Sequence, residues 1–233
     1  MSVVAFIPAR GGSKGIPRKN LAPLAGRPLM QWTIDAVRES RTVDDIFLSS
    51  DDEEIIAFCR SLGVDVPYVR PPELARDDTS MIDTVRHALE WMGDHRPEGM
   101  PDNLLLLQPT SPLRTAEDID GAVRQFKDTG VASLISVNEM AEHPYECVNL
   151  TPNGWAFLAK PNEKADRRQD YLDRYYFVNG AIYLAKTSFI LNQGLFFKES
   201  ESGIFIMPPE RGLDIDQPWQ LSVAEALLKN GRN

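Results

Sequence analysis

Residues 3–21 read Val-Val-Ala-Phe-Ile-Pro-Ala-Arg-Gly-Gly-Ser-Lys-Gly-Ile-Pro-Arg-Lys-Asn-Leu. The apolar start of this stretch predicts a first β-strand, and the glycine-rich part predicts a loop directly after it. Glycines let backbone N–H groups approach anionic oxygens closely, and basic side chains neutralise such oxygens. Because the first carboxylate of the chain is Asp35, the stretch predicts a basic polyphosphate-binding loop at the edge of an α/β sheet. Its basic residues are Arg10, Lys14, Arg18 and Lys19.

The loop differs from the two commonest phosphate-binding motifs. A Walker A loop places lysine directly after its last glycine, whereas here Lys14 precedes Gly15. A dinucleotide-binding fingerprint has one residue between its first two glycines, whereas Gly11 and Gly12 are adjacent. A mobile surface loop with solvated lysines is the alternative. The position after a first strand, where open α/β sheets bind ligands, favours phosphate binding.

Composition limits the class of protein. A length of 233 residues fits one large α/β domain, and a net charge of −9 argues against nucleic-acid binding, which requires a basic face. The two cysteines are far apart in sequence, which predicts reduced thiols and neither a disulfide framework nor a zinc site. No apolar run approaches a membrane span, and residues 1–7 are too short for a signal peptide. We therefore expect a cytoplasmic protein without nucleic-acid or membrane partners.

Strand and helix patterns alternate along the first half of the chain. This alternation predicts a three-layer α/β fold with a mostly parallel sheet and right-handed connections. The predicted strands are 3–7, 46–48, 64–69, 104–107, 131–137, 179–185 and 204–206. The predicted helices are 29–37, 53–62, 80–91, 115–126 and 218–228.

Residues 139–177 interrupt this alternation. The segment is polar, with prolines at 144, 152 and 161 and a charged run at 163–168. One interpretation is a loosely ordered surface insertion. A small subdomain is the other interpretation, which we favour because long structureless loops inside compact domains are uncommon.

The sequence Asp214-Ile215-Asp216 is a candidate metal site. In an extended segment alternate side chains share one face, so both carboxylates can reach one hard cation. Mg²⁺ usually takes one or two carboxylates and completes its shell with waters and substrate phosphates. The alternative is that Asp216 only caps the helix that begins near Gln217.

A polar residue, Gln108, ends the predicted strand 104–107, at the sheet edge where ligands bind. Pro109 and Pro112 stiffen the turn that follows. An amide is a poor proton acceptor, so Gln108 is expected to orient a substrate and not to act as a general base. The alternative is an incidental polar residue in a turn.

The loop and four further strings resemble the acylneuraminate cytidylyltransferases, which are the CMP-sialic acid synthetases and their relatives. The strings are Val69-Arg-Pro-Pro-Glu-Leu-Ala75 with Asp78-Thr79-Ser80, Leu106-Leu-Gln-Pro-Thr-Ser-Pro-Leu-Arg114, Val178-Asn-Gly-Ala-Ile-Tyr183 with Phe196-Phe197, and Arg211-Gly-Leu-Asp-Ile-Asp216. The resemblance implies a Rossmann-like nucleotidyltransferase fold and a single cytidylyltransferase domain over residues 1–233. It also implies that residues 139–177 form an inserted subdomain for homodimerisation and sugar binding, which reaches toward the partner's active site.

The resemblance implies an enzyme that joins CMP from CTP to an acidic nine-carbon sugar and releases pyrophosphate, with Mg²⁺ as cofactor. In the family the loop wraps the triphosphate, Arg70 and Ser80 contact cytosine, and the two aspartates hold the metal. The residues implied for CTP are Arg10, Gly11, Gly12, Ser13, Lys14, Lys19, Asn20, Arg70 and Ser80. The residues implied for the sugar are Gln108, Arg168, Gln169, Asn179, Tyr183, Phe196 and Phe197. The catalytic set is Arg10, Lys19, Asp214 and Asp216.

Three of these assignments have simpler explanations in the sequence. The simpler explanation of Thr79 and Ser80 is that one of them caps the N-terminus of a helix and contacts no ligand. The simpler explanation of the strand around Asn179 and of Phe196 and Phe197 is that they belong to the hydrophobic core and contact no ligand.

Two positions depart from the family pattern. Glu146 follows His143-Pro144-Tyr145, where relatives acting on N-acetylneuraminate often have a lysine, and Phe177 stands where some members have an arginine. Polar sugar contacts are then replaced, so a more acylated, less hydroxylated sugar such as a legionaminic acid becomes an acceptor to test. A Kdo or sugar-1-phosphate nucleotidyltransferase and a non-catalytic nucleotide-binding protein are the alternative functions.

Overall fold

The structure is a computed structural model that describes residues 2–160, 171 and 173–230. Its strands are β1 Val3–Pro8, β2 Pro23–Leu24, β3 Arg27–Pro28, β4 Asp45–Ser49, β5 Asn103–Leu106, β6 Ser133–Glu139, β7 Val148–Thr151, β8 Gly154–Phe157, β9 Tyr176–Lys186 and β10 Ser202–Ile206. Its helices are α1 Leu29–Glu39, α2 Glu53–Ser61, α3 Met81–His95, α4 Ala116–Thr129, α5 Thr187–Gln193 and α6 Pro218–Asn230.

A six-stranded sheet organises the molecule, in the order β10-β6-β9-β5-β1-β4. Neighbouring strands pair in parallel except β9, which is antiparallel to both β5 and β6. The prediction of a mostly parallel sheet is therefore confirmed. The carboxyl ends of β1 and β5 lie side by side, which brings the loop after β1 close to Gln108.

Apolar side chains bury the sheet on both faces. Leu105 and Leu107 pack in one cluster with residues of α1 and α4, whereas Leu104 and Leu106 pack in another with residues of α3 and α5. The continuous apolar run of β5 is thus explained, because a central strand of a three-layer fold is covered on both sides.

The predicted strand at residues 64–69 is wrong. Val64, Val66 and Tyr68 are buried, but residues 64–70 form no strand. The alternating pattern therefore reflects an extended segment with one buried side. This segment packs against the hydrophobic core without pairing to β4.

A bulge distorts β9 at Asn179 and Gly180. Gly180 has φ of +74°, and the register between β6 and β9 shifts opposite it. The Ser136 hydroxyl donates to Asn179 Oδ1 at 2.5 Å and accepts from the Ile182 N–H at 2.8 Å, which replaces ladder hydrogen bonds lost at the bulge. Bulges redirect side chains near sites, and this one lies beside Gln108.

The insertion after β6 contains a separate two-stranded antiparallel sheet, formed by β7 and β8. Its apolar side chains are exposed, with Leu150 at 82% and Trp155 at 62%. In the part of the chain that the structure describes, no helix is both long and apolar enough to cross a lipid bilayer.

Candidate active site

A cleft of about 510 Å³ opens at the carboxyl edge of β1 and β5. The loop after β1 forms one wall, and the turn that begins at Gln108 forms another. The predicted CTP residues that line it are Arg10, Gly12, Ser13, Lys14, Lys19, Asn20 and Arg70. We refer to this space as the nucleotide cleft.

The basic loop is neutralised by carboxylates from distant segments. Asp77 binds Arg10 at 2.8 Å and Lys14 at 3.0 Å, and its pKa is lowered by hydrogen bonds first from Lys14 and then from Arg10. Lys19 donates to Asp216 at 2.8 Å and to the Ile215 carbonyl at 3.0 Å. The cations are therefore held in place by internal anions.

Two glycines of the loop lie against neighbouring segments. A Cβ on Gly15 would lie 2.2 Å from the Asp216 carbonyl oxygen, and one on Gly11 would lie 2.5 Å from a carboxylate oxygen of Asp52. The Gly11 N–H donates to Asp51 at 3.0 Å. Gly11 therefore fixes the loop and does not line the nucleotide cleft, whereas Gly15 is needed for the contact with the aspartate segment.

Arg70 and Ser80 have different roles in the structure. Arg70 is buried, donates to the hydroxyl and carbonyl of Ser49 at 2.9 and 2.7 Å, and has its pKa lowered chiefly by burial. Ser80 is the N-cap of α3, where its hydroxyl accepts from the Ile82 N–H at 3.2 Å. Arg70 lines the nucleotide cleft and Ser80 does not. Arg18, a predicted countercharge, forms an ion pair with Glu54 on α2 and does not line the nucleotide cleft either.

A second cleft, of about 660 Å³, adjoins the first and shares Gln108 and Asp216 with it. Its walls are the bulged part of β9, the segment before α6, and α6 itself. The lining residues are Gln108, Asn138, Phe177, Val178, Asn179, Gly180, Tyr183, Pro209, Glu210, Gly212, Leu213, Asp214, Asp216, Gln220, Val223 and Leu227. We refer to this space as the acceptor cleft.

Asp214 is the unbalanced charge between the two clefts. Burial, and secondarily the charge of Asp216, raises the pKa of Asp214, while the Thr110 hydroxyl lowers it. Neither Asp214 Oδ1 nor Thr110 Oγ1 has a hydrogen-bond partner among the described residues, so this contact is not a well-formed hydrogen bond. Asp214 is partly buried, and its Oδ1 is buried without a hydrogen-bond partner, which is costly; a cation beside it would remove that cost.

The two aspartates fit a hexacoordinate metal with few protein ligands. The described residues contain no group of three or more His, Cys, Asp or Glu side chains that could hold an ion. Mg²⁺ does not need such a group, because waters and substrate phosphates complete its shell. The unpartnered Oδ1 of Asp214 and the lysine on Asp216 both indicate a place for positive charge.

Comparisons with known proteins show the family and the fold of the chain. A family model described as Cytidylyltransferase matches residues 4–230. The chain belongs to the cytidylyltransferase family. A CMP:2-keto-3-deoxy-manno-octonic acid synthetase solved with CTP shares the fold, with a TM-score of 0.72, 18% identity, and coverage of 99% of this chain and 100% of that one. The predicted Rossmann-like nucleotidyltransferase fold is confirmed.

Three relatives of this cytidylyltransferase-family chain differ in the sugar that their names give. The chain is 36% identical over 93% of its length to an N-acylneuraminate cytidylyltransferase of Streptococcus agalactiae, of which it spans only 51%. It is 34% identical to the CMP-N,N'-diacetyllegionaminic acid synthase of Legionella pneumophila, covering 98% of this chain and 97% of that one. It is 32% identical to the pseudaminic acid cytidylyltransferase of Campylobacter jejuni, with the same coverage.

The structure brings together most of the predicted sugar residues of this family member. Gln108, Asn179 and Tyr183 line the acceptor cleft. Phe196 and Phe197 do not line it but pack on Tyr183, with ring centroids 5.7 and 6.4 Å away. The pKa of Tyr183 is raised, first by burial and then by the charge of Asp214, which shows that the two side chains share one environment. The predicted Arg168 and Gln169 lie outside the described residues.

Several lining residues were missed from sequence. Asp77 lies one residue before the quoted string Asp78-Thr79-Ser80, and no pattern in the sequence links it to the basic loop. Gln220, Val223 and Leu227 of α6 follow helical spacing, so they share one face. That spacing was a usable signal, but only the tertiary structure shows that the face borders a cleft.

Proposed function

We propose that this protein transfers CMP from CTP to the anomeric hydroxyl of a nonulosonic, sialic-acid-like sugar with release of pyrophosphate. The observation that carries the proposal is the pair of adjoining clefts that share Gln108 and Asp216. One cleft holds several cations and glycines, which suits a triphosphate. The other holds amides, two aromatic rings and apolar side chains beside its three carboxylates, and the uncharged part of this lining suits an acylated sugar. The junction is where the two reacting atoms would meet.

The reaction needs positioning and charge neutralisation more than covalent help from the protein. The sugar hydroxyl oxygen forms a bond to the α-phosphorus and releases its proton to water, while the bond from that phosphorus to the bridging oxygen breaks and pyrophosphate leaves with the bonding electron pair. Arg10, Ser13 and Lys14 would bind the β- and γ-phosphates. These phosphates would replace Asp77 as the partner of Arg10 and Lys14. Asn20, whose amide donates to the Arg10 carbonyl at 3.0 Å, would hold the loop and contact ribose or phosphate.

Lys19 would stabilise charge near the α-phosphate. In the structure its ammonium binds Asp216, at the border of the two clefts. Asp214 and Asp216 would hold Mg²⁺, which, when bound, neutralises phosphate oxygens and lowers the pKa of a coordinated hydroxyl. With Asp216 engaged in holding the metal, Lys19 would be free to leave its pair with Asp216 and move to the phosphate.

The acceptor is proposed to be a more acylated and less hydroxylated nonulosonic acid. Phe177 is 57% exposed and lines the acceptor cleft, as do Val178 and Val223. Among the described lining residues of that cleft there is no lysine or arginine. Apolar walls favour methyl groups of acyl substituents over hydroxyl groups. The relatives named for diacetyllegionaminic and pseudaminic acids, at full coverage, support the same class.

The protein is also proposed to be a homodimer through the β7–β8 hairpin. The hairpin exposes Val148, Leu150, Trp155 and Phe157 at 46–82%, and contiguous exposed apolar patches mark interaction surfaces. We expect Leu150→Glu to shift the molecular mass in light scattering from dimer to monomer. A wild-type protein that is monomeric at the same concentration contradicts this proposal. The cytoplasmic location stays a prediction.

The test of function is pyrophosphate release with CTP, Mg²⁺ and a panel of acceptors. The panel contains N-acetylneuraminic, diacetyllegionaminic and pseudaminic acids, Kdo and a hexose 1-phosphate. Turnover with a nonulosonic acid supports the proposal, and turnover with only Kdo or the hexose phosphate assigns the alternative enzyme class. A thermal shift with CTP but not UTP or GTP, without turnover of any acceptor, indicates a non-catalytic nucleotide-binding protein.

A further inference from the structure

Asp118 is a buried carboxylate at the start of α4, and it does not line either cleft. Its side chain is 3% exposed. One oxygen accepts from the N–H and the hydroxyl of Thr115 at 3.0 and 3.2 Å, which forms a capping box with the helix. The other oxygen binds Arg211 at 3.0 Å. A single buried carboxylate thus joins a helix end to a distant segment of the chain.

Arg211 lies in the segment that forms one wall of the acceptor cleft, but its side chain points away from the cleft. It lies in the short 3-10 helix Pro209–Gly212, and the neighbouring Glu210, Gly212 and Asp214 line the cleft while Arg211 does not. A Cβ on Gly212 would lie 2.4 Å from Asn138 Oδ1, so this backbone is tightly placed on the floor of the cleft. The pair with Asp118 therefore attaches the segment that carries Asp214 to the rigid α4.

Arg114 makes the corresponding attachment on the β9 side. It is 2% exposed, donates to the Ala181 carbonyl at 2.6 Å, and donates to the Thr33 hydroxyl on α1 at 2.9 Å. Ala181 directly follows the bulge at Asn179 and Gly180. Burial lowers the pKa of Arg114 to about 9, and the charge of Asp118 opposes that shift. Arg211 and Arg114 thus each attach one wall of the acceptor cleft, through separate contacts.

We propose that Asp118 and Arg211, together with Arg114, are positioning residues that set the distance between the two walls of the acceptor cleft. They touch neither substrate and act through Asp214 and the β9 bulge. The inference depends on the proposed CMP transfer, since it names residues that shape the acceptor side of that site. The Asp118 carboxylate is buried while the Arg211 side chain is 35% exposed, so the pair adds little net stability but loss of the arginine leaves a buried charge uncompensated; a positional role therefore explains the pair better than a stabilising one.

The forked shape of the guanidinium group also explains why position 114 holds an arginine and not a lysine. Arg114 reaches two acceptors on different elements with fixed geometry, which a lysine ammonium does not reproduce. Loss of one such contact leaves the wall free to shift, and a displacement of about 1 Å in a reactive geometry costs on the order of 100-fold in rate.

The test is the kinetics of Arg211→Gln and Asp118→Asn with CTP and the best acceptor. We expect kcat to fall and the acceptor KM to rise, so that kcat/KM for the acceptor drops roughly 10- to 100-fold. The CTP KM and the dissociation constant for CTP by calorimetry should stay within about twofold, because the nucleotide cleft has other walls. The double variant should lose little more than either single variant, since both remove one contact.

Arg211→Lys keeps the charge and should recover part of the acceptor kcat/KM. Arg124→Gln removes an exposed arginine from the same helix and should leave all constants unchanged. Equal losses for CTP and acceptor, with a lower melting temperature, would show a merely structural pair. Unchanged acceptor constants in Arg211→Gln would also overturn the inference, and Arg211→Lys serves the same comparison if the glutamine variant does not fold. If the wild type turns over no acceptor, the proposed function itself fails. That outcome is seen before any variant is made, so it is distinguishable from a failure of the inference about Asp118 and Arg211.

Discussion

The nucleotide cleft and the acceptor cleft are neighbours, yet they are assembled differently. Most predicted contacts of the nucleotide cleft come from one contiguous stretch, residues 10–20. The acceptor cleft takes its walls from β6, the bulge of β9, the segment before α6, and α6. A phosphate site can be built from one loop, because backbone N–H groups and a few cations suffice. A sugar site needs surfaces on several sides, so it depends on the whole fold.

The two clefts also differ in how their charges are balanced before a ligand binds. In the nucleotide cleft Asp77 and Asp216 already hold the cations of the loop. Beside the acceptor cleft, Asp214 Oδ1 is buried and has no hydrogen-bond partner among the described residues. This difference agrees with the proposed ligands, because a triphosphate would replace one anion with another in the first cleft and a cation would be stabilised at the junction with the second.

The largest effect is expected from Asp214→Asn, which removes the unbalanced charge. Turnover should fall on the order of 10³-fold or more, because the proposed metal loses a ligand. The folded-state pKa of Asp214 is raised, so ionisation at neutral pH opposes folding, and the variant should melt at a higher temperature in EDTA. The difference in melting temperature should shrink as the pH falls, because the wild-type carboxyl then becomes protonated. Full activity in this variant would refute the role of Asp214.

Asp216→Asn tests whether Asp214 and Asp216 differ in their effect on thermal stability. It should lose turnover to a similar extent, but it should not gain thermal stability, since Asp216 is exposed and bound to Lys19. Circular dichroism and melting curves in EDTA measure the contrast. A gain equal to that of Asp214→Asn would show that the two aspartates do not differ in the way described.

A smaller effect is expected from Gly15→Ala, which tests the contact between the loop and the aspartate segment. The added Cβ would lie 2.2 Å from the Asp216 carbonyl, so loop and segment must separate. Turnover should fall about 100-fold, with the CTP KM raised. Gly12→Ala is the matched variant, because its Cβ would meet no atom within 4 Å, and it should lose less. Equal losses would mean that the contact at Gly15 has no special importance.

Asp77→Asn should act in the opposite direction on the nucleotide cleft. Removing the internal anion leaves Arg10 and Lys14 without competition, so the CTP dissociation constant should fall roughly two- to fivefold at low salt. Asp78→Asn is the matched control, because Asp78 is exposed and does not line either cleft. Calorimetry at two salt concentrations measures both variants. Weaker CTP binding in Asp77→Asn would show that the carboxylate holds the loop in its binding shape instead.

The smallest effect is expected from Thr110→Val, which probes the surroundings of Asp214. The Thr110 hydroxyl lies near Asp214 and lowers its pKa without a well-formed hydrogen bond, so its removal should raise that pKa only slightly further in metal-free protein. Carboxyl NMR titration would detect the change. Ser111→Ala removes the adjacent buried hydroxyl and should leave the pKa of Asp214 as it is. A shift of the same size in both variants would contradict the specific contact with Thr110.

Sequence reasoning works best where one segment carries a whole pattern. The continuous apolar run of β5 is confirmed as a buried central strand, whereas the roles of the loop after β1 and of the Asp214–Asp216 pair stay predictions from spacing along the chain. It failed for residues 64–69, where alternating burial occurs without strand pairing. It also missed Asp77, since an acidic side chain in a phosphate site makes sense only when its cationic partners are known.

The sequence alone determined the fold class, the basic loop and the pair of aspartates, because these depend on hydrophobic period and on neighbouring residues. Only the tertiary structure decided what balances the loop. A stretch without a carboxylate of its own receives Asp51, Asp77 and Asp216 from three other segments. It also decided that β9 runs antiparallel and bulges beside Gln108, which creates the acceptor cleft. Contacts between residues distant in sequence are set by packing of the whole chain, and no local pattern records them.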